Sequence, residues 1–313
     1  MQQHQIKFFA GSSHPELAKE ISKYLKTSVS ELVISKFACG EIYAKPKDTV
    51  RGVDAFVLQT GSSNINEDLM ELFIILDSLK RSFAGRIHVV MPHYGYARQD
   101  RVATPREPIS AKLVADLISA AGADHIITMK LHSDQEQGFF NFPVDNLSTE
   151  KLFAEYFAKK GLKDLVVVSP DAGGAKDAKR LANLLMANLA IIYKTRPSHN
   201  KAQANHVIGD VKGKGCLIYD DMIDTGGSVV EALRALKECG AKKVYLAATH
   251  AVFSDPAAER LRNAGFEEVV VTNTIPISKN KKFKGLVVLS VAPLLAKIIE
   301  NIHEDKSVTS ALL

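Results

Sequence analysis

A chain of 313 residues exceeds the usual size of one compact core, so two domains of ordinary size are expected. Hydrophobic residues make up 46% and charged residues 24%, a balance that excludes disorder, collagen and coiled coil. The net charge of +5 comes from 40 basic against 35 acidic residues without a dense block, and there is no Trp, so the surplus suits phosphorylated small molecules and gives a nucleic-acid surface little to be built from.

Strand-like runs recur along the chain: IKFFA at 6–10, DAFVLQT at 54–60, RIHVVMP at 86–92, HIITMKL at 125–131, LVVVSP at 165–170, AIIYK at 190–194, CLIYDD at 216–221, KVYLAATH at 243–250 and EVVVTN at 268–273. Several are almost continuously apolar, as parallel strands covered on both faces are. Helical patterns lie between them. Pro108 stands where a first-turn proline would, followed by Ile109, Leu113 and Leu117 on one face. A second helix starts near Gly226, with Val229, Leu233 and Leu236 on its buried face and Gly240 just past its end. This alternation predicts an α/β protein of two doubly wound parallel-sheet units. The boundary is expected at 146–149, where NLST ends one unit and caps the helix LFAEYFAKK.

The apolar stretch from Leu286 to Ala296 is interrupted by Ser290 and Pro293 and stops at Lys297, short of the roughly 18 residues a membrane span needs. No leader pattern is visible at the N-terminus. Cys39, Cys216 and Cys239 are widely spaced and odd in number, unlike a disulfide framework or a zinc site. A cytoplasmic protein without a membrane partner is predicted.

The most informative stretch is CLIYDDMIDTGGS at 216–228, an apolar strand running into three carboxylates and a Gly-rich turn that opens a helix. Ligands of open α/β sheets bind at the carboxyl ends of strands. Gly226 and Gly227 let backbone N–H groups approach an anion, Thr225 and Ser228 add hydroxyl donors, and the helix dipole favours negative charge. Asp220 and Asp221 accept from vicinal sugar hydroxyls and suit a nearby divalent cation. A phosphorylated sugar needs both kinds of group.

This loop resembles the phosphoribosyl-binding loop of the type I phosphoribosyltransferase fold. Further motifs resemble the ribose-phosphate pyrophosphokinase family: FACGEI at 37–42, TVRG at 49–52, PHYGYARQDR at 92–101, REPISAKL at 106–113, LHSDQEQGFF at 131–140, SPDAGG at 169–174 and YKTRP at 193–197. The resemblance implies synthesis of phosphoribosyl diphosphate from ribose 5-phosphate and MgATP, with manganese as a possible substitute metal, in a homo-oligomer of dimers assembling to a hexamer. It implies one domain at 1–146, rejoined by a C-terminal helix at 292–313, and a second at 147–291.

Carried over by position, the resemblance places the sugar phosphate on Asp224, Thr225, Gly226, Gly227 and Ser228, and the ribose hydroxyls on Asp220 and Asp221. ATP falls to Phe37, Cys39, Gly40, Glu41, Arg98, Gln99, Asp100 and Arg101, the metal to His132 and Asp171, and allosteric control to Thr49 and Arg51. Lys194 and Arg196 supply the catalytic cations, Arg196 also contacting the sugar phosphate. Negative charge shifts between oxygens as the sugar hydroxyl attacks the β-phosphorus, and cations brought in by a closing loop stabilise it.

Four positions depart from the family pattern. Ser228 replaces Thr and keeps its hydroxyl, and Thr49 replaces Ser. Cys39 stands where an Asp or Asn accepts from the adenine amino group, and a thiol accepts poorly. Lys130 replaces an Asp; on a continuing strand it shares a face with His132, putting an ammonium where a carboxylate would help hold metal. Two alternatives follow: a weakly active paralogue regulating a true synthetase by co-assembly, and a phosphoribosyltransferase that consumes the diphosphate.

Overall fold

The computed structural model describes residues 5–195 and 204–309. It divides into two compact units: the first holds the chain up to Ser148, Thr274–Pro276 and the chain from Ser290 onward, and the second holds Thr149–Asn273 and Ile277–Leu289. The first unit extends to Ser148, beyond the expected 146, because a strand continuing to Leu147 still pairs in its sheet.

In chain order the first unit comprises β1 (Ile6–Ala10), α1 (Pro15–Leu25), β2 (Val29–Ser30), β3 (Leu32–Lys36), β4 (Ile42–Pro46), β5 (Asp54–Leu58), α2 (Ile65–Arg81), β6 (Arg86–Met91), α3 (Ser110–Ala121), β7 (His125–Met129) and β8 (Val144–Leu147). Its six-stranded sheet runs β2-β1-β5-β6-β7-β8 and is parallel throughout. β3 and β4 form a separate antiparallel hairpin against α2. The second unit comprises α4 (Glu150–Ala158), β9 (Leu165–Ser169), α5 (Ala175–Leu184), β10 (Asn188–Thr195), β11 (Ala204–Ile208), β12 (Gly215–Ile223), α6 (Gly227–Glu238), β13 (Lys243–Ala251), α7 (Ala257–Ala264), β14 (Val269–Thr272) and β15 (Leu286–Leu289). Its order is β11-β10-β9-β12-β13-β14-β15, parallel except for β11. The chain then returns to the first unit as α8 (Ala292–His303), which packs along α1. Both units are thus doubly wound, as the apolar strand runs predict.

Strand periodicity builds the second unit's two cores. Val166, Val168, Cys216 and Ile218 face one layer with Leu236 and Leu246, while Val167, Leu217 and Tyr219 face the other with Phe153 and Phe157. Burying each such side chain contributes on the order of 1.5–3 kcal/mol.

Several expectations change. Pro108 lies before α3, which starts at Ser110 with Ile109 as its N-cap. The buried face of α3 is Ala111, Val114, Ala115 and Ile118; Ile109, Leu113 and Leu117 are 39%, 58% and 43% exposed. The larger apolar stripe of α3 thus faces outward, while its buried face packs into the first unit's core beside α2. Thr149 is the N-cap of α4, but its hydroxyl gives no cap bond and lies 2.7 Å from that of Thr249. β8 and the β3–β4 hairpin are not among the expected strands, and β15 is concealed in the apolar run that continues into α8.

At the amino ends of the first sheet's strands, Asp54 is fully buried and accepts from Arg86 Nε at 2.7 Å and Nη2 at 2.5 Å. His303 Nδ1 of α8 lies 2.9 Å from the same carboxylate, and Arg86 also donates to Asp305 at 2.9 Å. Burial works against the Asp54 charge, but the bonds from Arg86 and His303 outweigh it and hold its pKa below the ordinary value. Beside it, His88 stacks on Phe56 at 4.3 Å and meets His125 Nδ1 to Nδ1 at 3.2 Å; burial, then the neighbouring His125, push His88 down to about 3.

Both depressed groups bind protons more readily in the unfolded chain, so their stabilisation is present above the unfolded values and lost on acidification. The melting temperature should fall as pH drops below about 6.5, the ordinary histidine value. In His88→Phe the fall between pH 6.5 and 4.5 should be shallower; an unchanged slope in thermal melts would show that His88 is not the titrating group.

Candidate active site

The chain leaves β9 in one direction to β10 and returns on the other side as β12, so the second sheet reverses its winding between β9 and β12. Crevices at the carboxyl ends of strands open at such points. Asp171 follows β9, while Asp220 and Asp221 lie near the end of β12. The turn at 224–226 leads directly into α6, with Gly226 as the N-cap at φ +73° and no side-chain cap hydrogen bond. The start of α6 therefore offers backbone donors and the positive end of the helix dipole to an anion. Thr225 and Ser228 are exposed there, and Asp224 and Gly227 are half-buried.

The first unit has a counterpart that is filled from within. Its winding reverses between β1 and β5, where a strand–Gly–Ser–Ser–helix turn follows Ala10. Glu71 of α2 enters this crevice: Ser12 donates to it from N at 2.6 Å and from Oγ at 2.8 Å, and Gln59 donates at 2.9 Å. A side chain at Gly11 would begin 2.4 Å from Gln59 Oε1 and 2.6 Å from Glu71 Oε1. The carboxylate thus occupies the donors that an anion would use. Nothing in the local motif announces this, because Glu71 comes from another element.

The carboxylates of the second unit are strained electrostatically. The Asp221 N–H donates to Asp220 Oδ1 at 2.9 Å and the Met222 N–H to Asp221 Oδ1 at 2.7 Å. Burial, then the charge of Asp221, raise the Asp220 pKa well above the ordinary value, with Asp171 adding to the repulsion. Asp171 in turn accepts from the Gly174 N–H at 3.0 Å, shaping the turn into α5. Among the described residues no group of three or more His, Cys, Asp or Glu could hold a metal by itself. Magnesium commonly uses one or two carboxylates, its own waters and substrate phosphates, so this oxygen-rich, mutually repelling set fits such an ion together with a phosphorylated ligand.

The remaining predicted residues fall in several places. Phe37, Cys39, Gly40 and Glu41 form the tip of the β3–β4 hairpin, closed by Phe37 N to Glu41 O and Gly40 N to Phe37 O, each 2.8 Å; Phe37 is 56% exposed and meets Tyr43 edge-on at 5.9 Å. Arg98, Gln99, Asp100 and Arg101 lie between the carboxyl end of β6 and α3. Gln99 is fastened to the start of α3 by Ser110 Oγ and by Ala111 N at 3.2 Å, while the Tyr94 hydroxyl donates to Ala111 O at 2.7 Å. Thr49 and Arg51 are exposed, with the Arg51 guanidinium 4.7 Å above the Phe83 ring. Lys194 is on β10, its backbone in register with Asn205, and Arg196 lies outside the described residues.

Lys130 and His132 do not share a strand face. β7 ends at Met129, and Lys130 takes φ +44°, which breaks the alternation. Lys130 is buried and His132 exposed. The sequence reading also overlooked Ser133 and Glu136, which form a capping box at the 3₁₀ turn Asp134–Phe139; the S-x-x-E spacing was a usable signal.

The Asp220 sign gives a test of the site's electrostatics. A carboxyl whose pKa is raised on folding costs stability once pH exceeds its unfolded value. Asp220→Asn should therefore melt at a higher temperature than the parent at pH 7 in chelator without ligand. A lower melting temperature would contradict the repulsion.

Known proteins similar to this chain extend over both units. The model of the N-terminal domain of ribose phosphate pyrophosphokinase matches residues 6–122, and that of the phosphoribosyl synthetase-associated domain matches 195–312. The ribose-phosphate pyrophosphokinase of Clostridium perfringens is 50% identical over 304 residues, covering 96% of this chain and 95% of that protein. That of Bacillus caldolyticus is 48% identical over 307 residues, 98% of each. The crystal structure of phosphoribosylpyrophosphate synthetase from Mycobacterium smegmatis superposes with a TM-score of 0.92 at 49% identity, covering 96% of this chain and 99% of that one. With identity and fold both extending over nearly the whole length, the chain belongs to the ribose-phosphate pyrophosphokinase family.

Proposed function

We propose that the chain transfers the diphosphoryl group of ATP to the 1-hydroxyl of ribose 5-phosphate, giving phosphoribosyl diphosphate and AMP. The observation that carries this reading is the uncapped start of α6 at the winding reversal, beside the half-buried Asp220–Asp221 pair. A phosphate meets the donors of 224–228, and vicinal ribose hydroxyls satisfy acceptors that otherwise repel each other. The sugar is then held with O1 as nucleophile; a bond forms from O1 to the β-phosphorus of ATP, the O1 proton passes to water, and the bond from that phosphorus to the α,β-bridging oxygen breaks, releasing AMP.

Lys194 and Arg196 act in this reading as the cations that stabilise the oxygens gaining charge, with Arg196 also on the sugar phosphate. Phe37, Cys39, Gly40 and Glu41 take the base, and Arg98, Gln99, Asp100 and Arg101 the remainder of the nucleotide. Asp171 and His132 serve a divalent cation, magnesium or manganese, which when bound would neutralise phosphate charge. Thr49 and Arg51 mark a regulatory position.

The assembly in this reading is a homo-oligomer of dimers building to a hexamer. The outward stripe of Ile109, Leu113 and Leu117 supports self-association, since a monomer exposing it would leave apolar surface in water. Compartment follows the cysteines: all three are free, with Cys39 and Cys239 exposed, as suits the cytoplasm. No described helix is long and apolar enough to cross a membrane.

Phosphorus NMR of the protein with ribose 5-phosphate, ATP and magnesium should show AMP and an anomeric diphosphate; absence of both with magnesium and manganese would overturn the proposal. Lys194→Ala should lower kcat by roughly 10³ or more, by analogy with cations at phosphoryl transfer. Leu113→Glu should shift the protein to smaller species in analytical ultracentrifugation, and an unchanged distribution would remove the α3 stripe from the interface.

A further inference from the structure

The turn at 224–226 is supported from outside by α7. A side chain at Gly226 would begin 3.6 Å from Ala257 Cα, 3.7 Å from its carbonyl oxygen and 3.7 Å from Leu261 Cγ, so the start of α7 lies in van der Waals contact with the turn. One helical turn along, Arg260 reaches back: its Nη1 donates to the Thr225 carbonyl oxygen at 3.0 Å, although the two residues are 35 positions apart. The same Nη1 is 3.8 Å from the position a Cβ would take on Gly227, the first residue of α6.

This contact has a consequence for the donors of the turn. In a trans peptide, the C=O of one residue and the N–H of the next point to opposite sides. Holding the Thr225 oxygen toward α7 therefore directs the Gly226 N–H away from α7, to the other side of the turn. Without the guanidinium, that peptide would be free to rotate and present its carbonyl oxygen where an anion sits. The full positive charge also stands beside the first residue of α6, adding to the helix dipole.

The geometry points to Arg260 as a positioning residue for the sugar phosphate, acting by holding the Thr225–Gly226 peptide in its anion-accepting orientation. The assignment rests on the proposed reading of 224–228 as the ribose 5-phosphate site. Arg260 is exposed, as is its neighbour Glu259, so both can be replaced without opening a core.

The test is titration calorimetry of ribose 5-phosphate into the full-length protein, together with steady-state kinetics, for the parent, Arg260→Ala, Arg260→Lys and Glu259→Ala. Arg260→Ala should weaken ribose 5-phosphate binding and raise its KM about tenfold, as for loss of one charge-assisted hydrogen bond, with kcat and the KM for ATP within about twofold. Arg260→Lys, which keeps a charged donor, should recover most of the loss, and Glu259→Ala should match the parent. If the parent binds and Arg260→Ala binds equally well, the assignment is overturned. It is equally overturned if Arg260→Ala depresses kcat and affects both KM values alike, the signature of general structural damage. If the parent itself binds no ribose 5-phosphate, the reading of the 224–228 site fails and the role of Arg260 falls with it.

Discussion

At Gly226 the backbone must turn at φ +73° while Ala257 lies close behind it, and the chemistry at the carboxyl end of β12 depends on that one constraint. A β-carbon is disfavoured in this left-handed conformation, so glycine lets the chain pass from the strand into α6 within three residues. The short turn leaves the first N–H groups of α6 uncapped and brings them beside Asp220 and Asp221. A longer or side-chain-capped connection would satisfy those donors internally and leave nothing for a phosphate.

The two units show how similar local architecture leads to opposite outcomes. Both sheets reverse their winding between two neighbouring strands, and both place a Gly-containing turn there. In the first unit Glu71 and Gln59 fill the crevice, so their hydrogen bonds stabilise the fold in place of a ligand. In the second, acidic groups lie together with raised proton affinity at Asp220, an arrangement that costs folding stability. Sites commonly retain such local conflict because resolving it within the protein removes the capacity to bind.

Polar groups do structural work at the opposite end of the first sheet. Asp54 joins β5 to Arg86 of β6 and to His303 of α8, so the chain's final helix is tied to the unit from which the chain began. Ser290 adds a bond from its hydroxyl to Glu20 of α1, ahead of the packing between α1 and α8. The Asp54 contacts lie at the amino ends of the strands, where they hold the scaffold without competing with ligand groups at the carboxyl ends.

Much of this was legible before the structure. Apolar runs such as LVVVS and CLIY announced buried parallel strands, because a strand covered on both faces needs apolar side chains at consecutive positions. The 220–228 loop resembles a phosphosugar site in the sequence because its acids, hydroxyls and glycines are contiguous at a strand end. Tertiary structure decided what depends on distant partners. It turned Leu113 and Leu117 outward by burying the face of Ala111, Val114, Ala115 and Ile118 instead, and it ended β7 at Met129, separating the orientations of Lys130 and His132. It also brought Arg260 to the Thr225 carbonyl and Glu71 into the first crevice, contacts between separate elements that no local spacing encodes. The sequence by itself determined the layered fold and the chemical character of the loop, since both follow from residues adjacent in the chain; only packing determined which crevice stays open and which side chains hold it in shape.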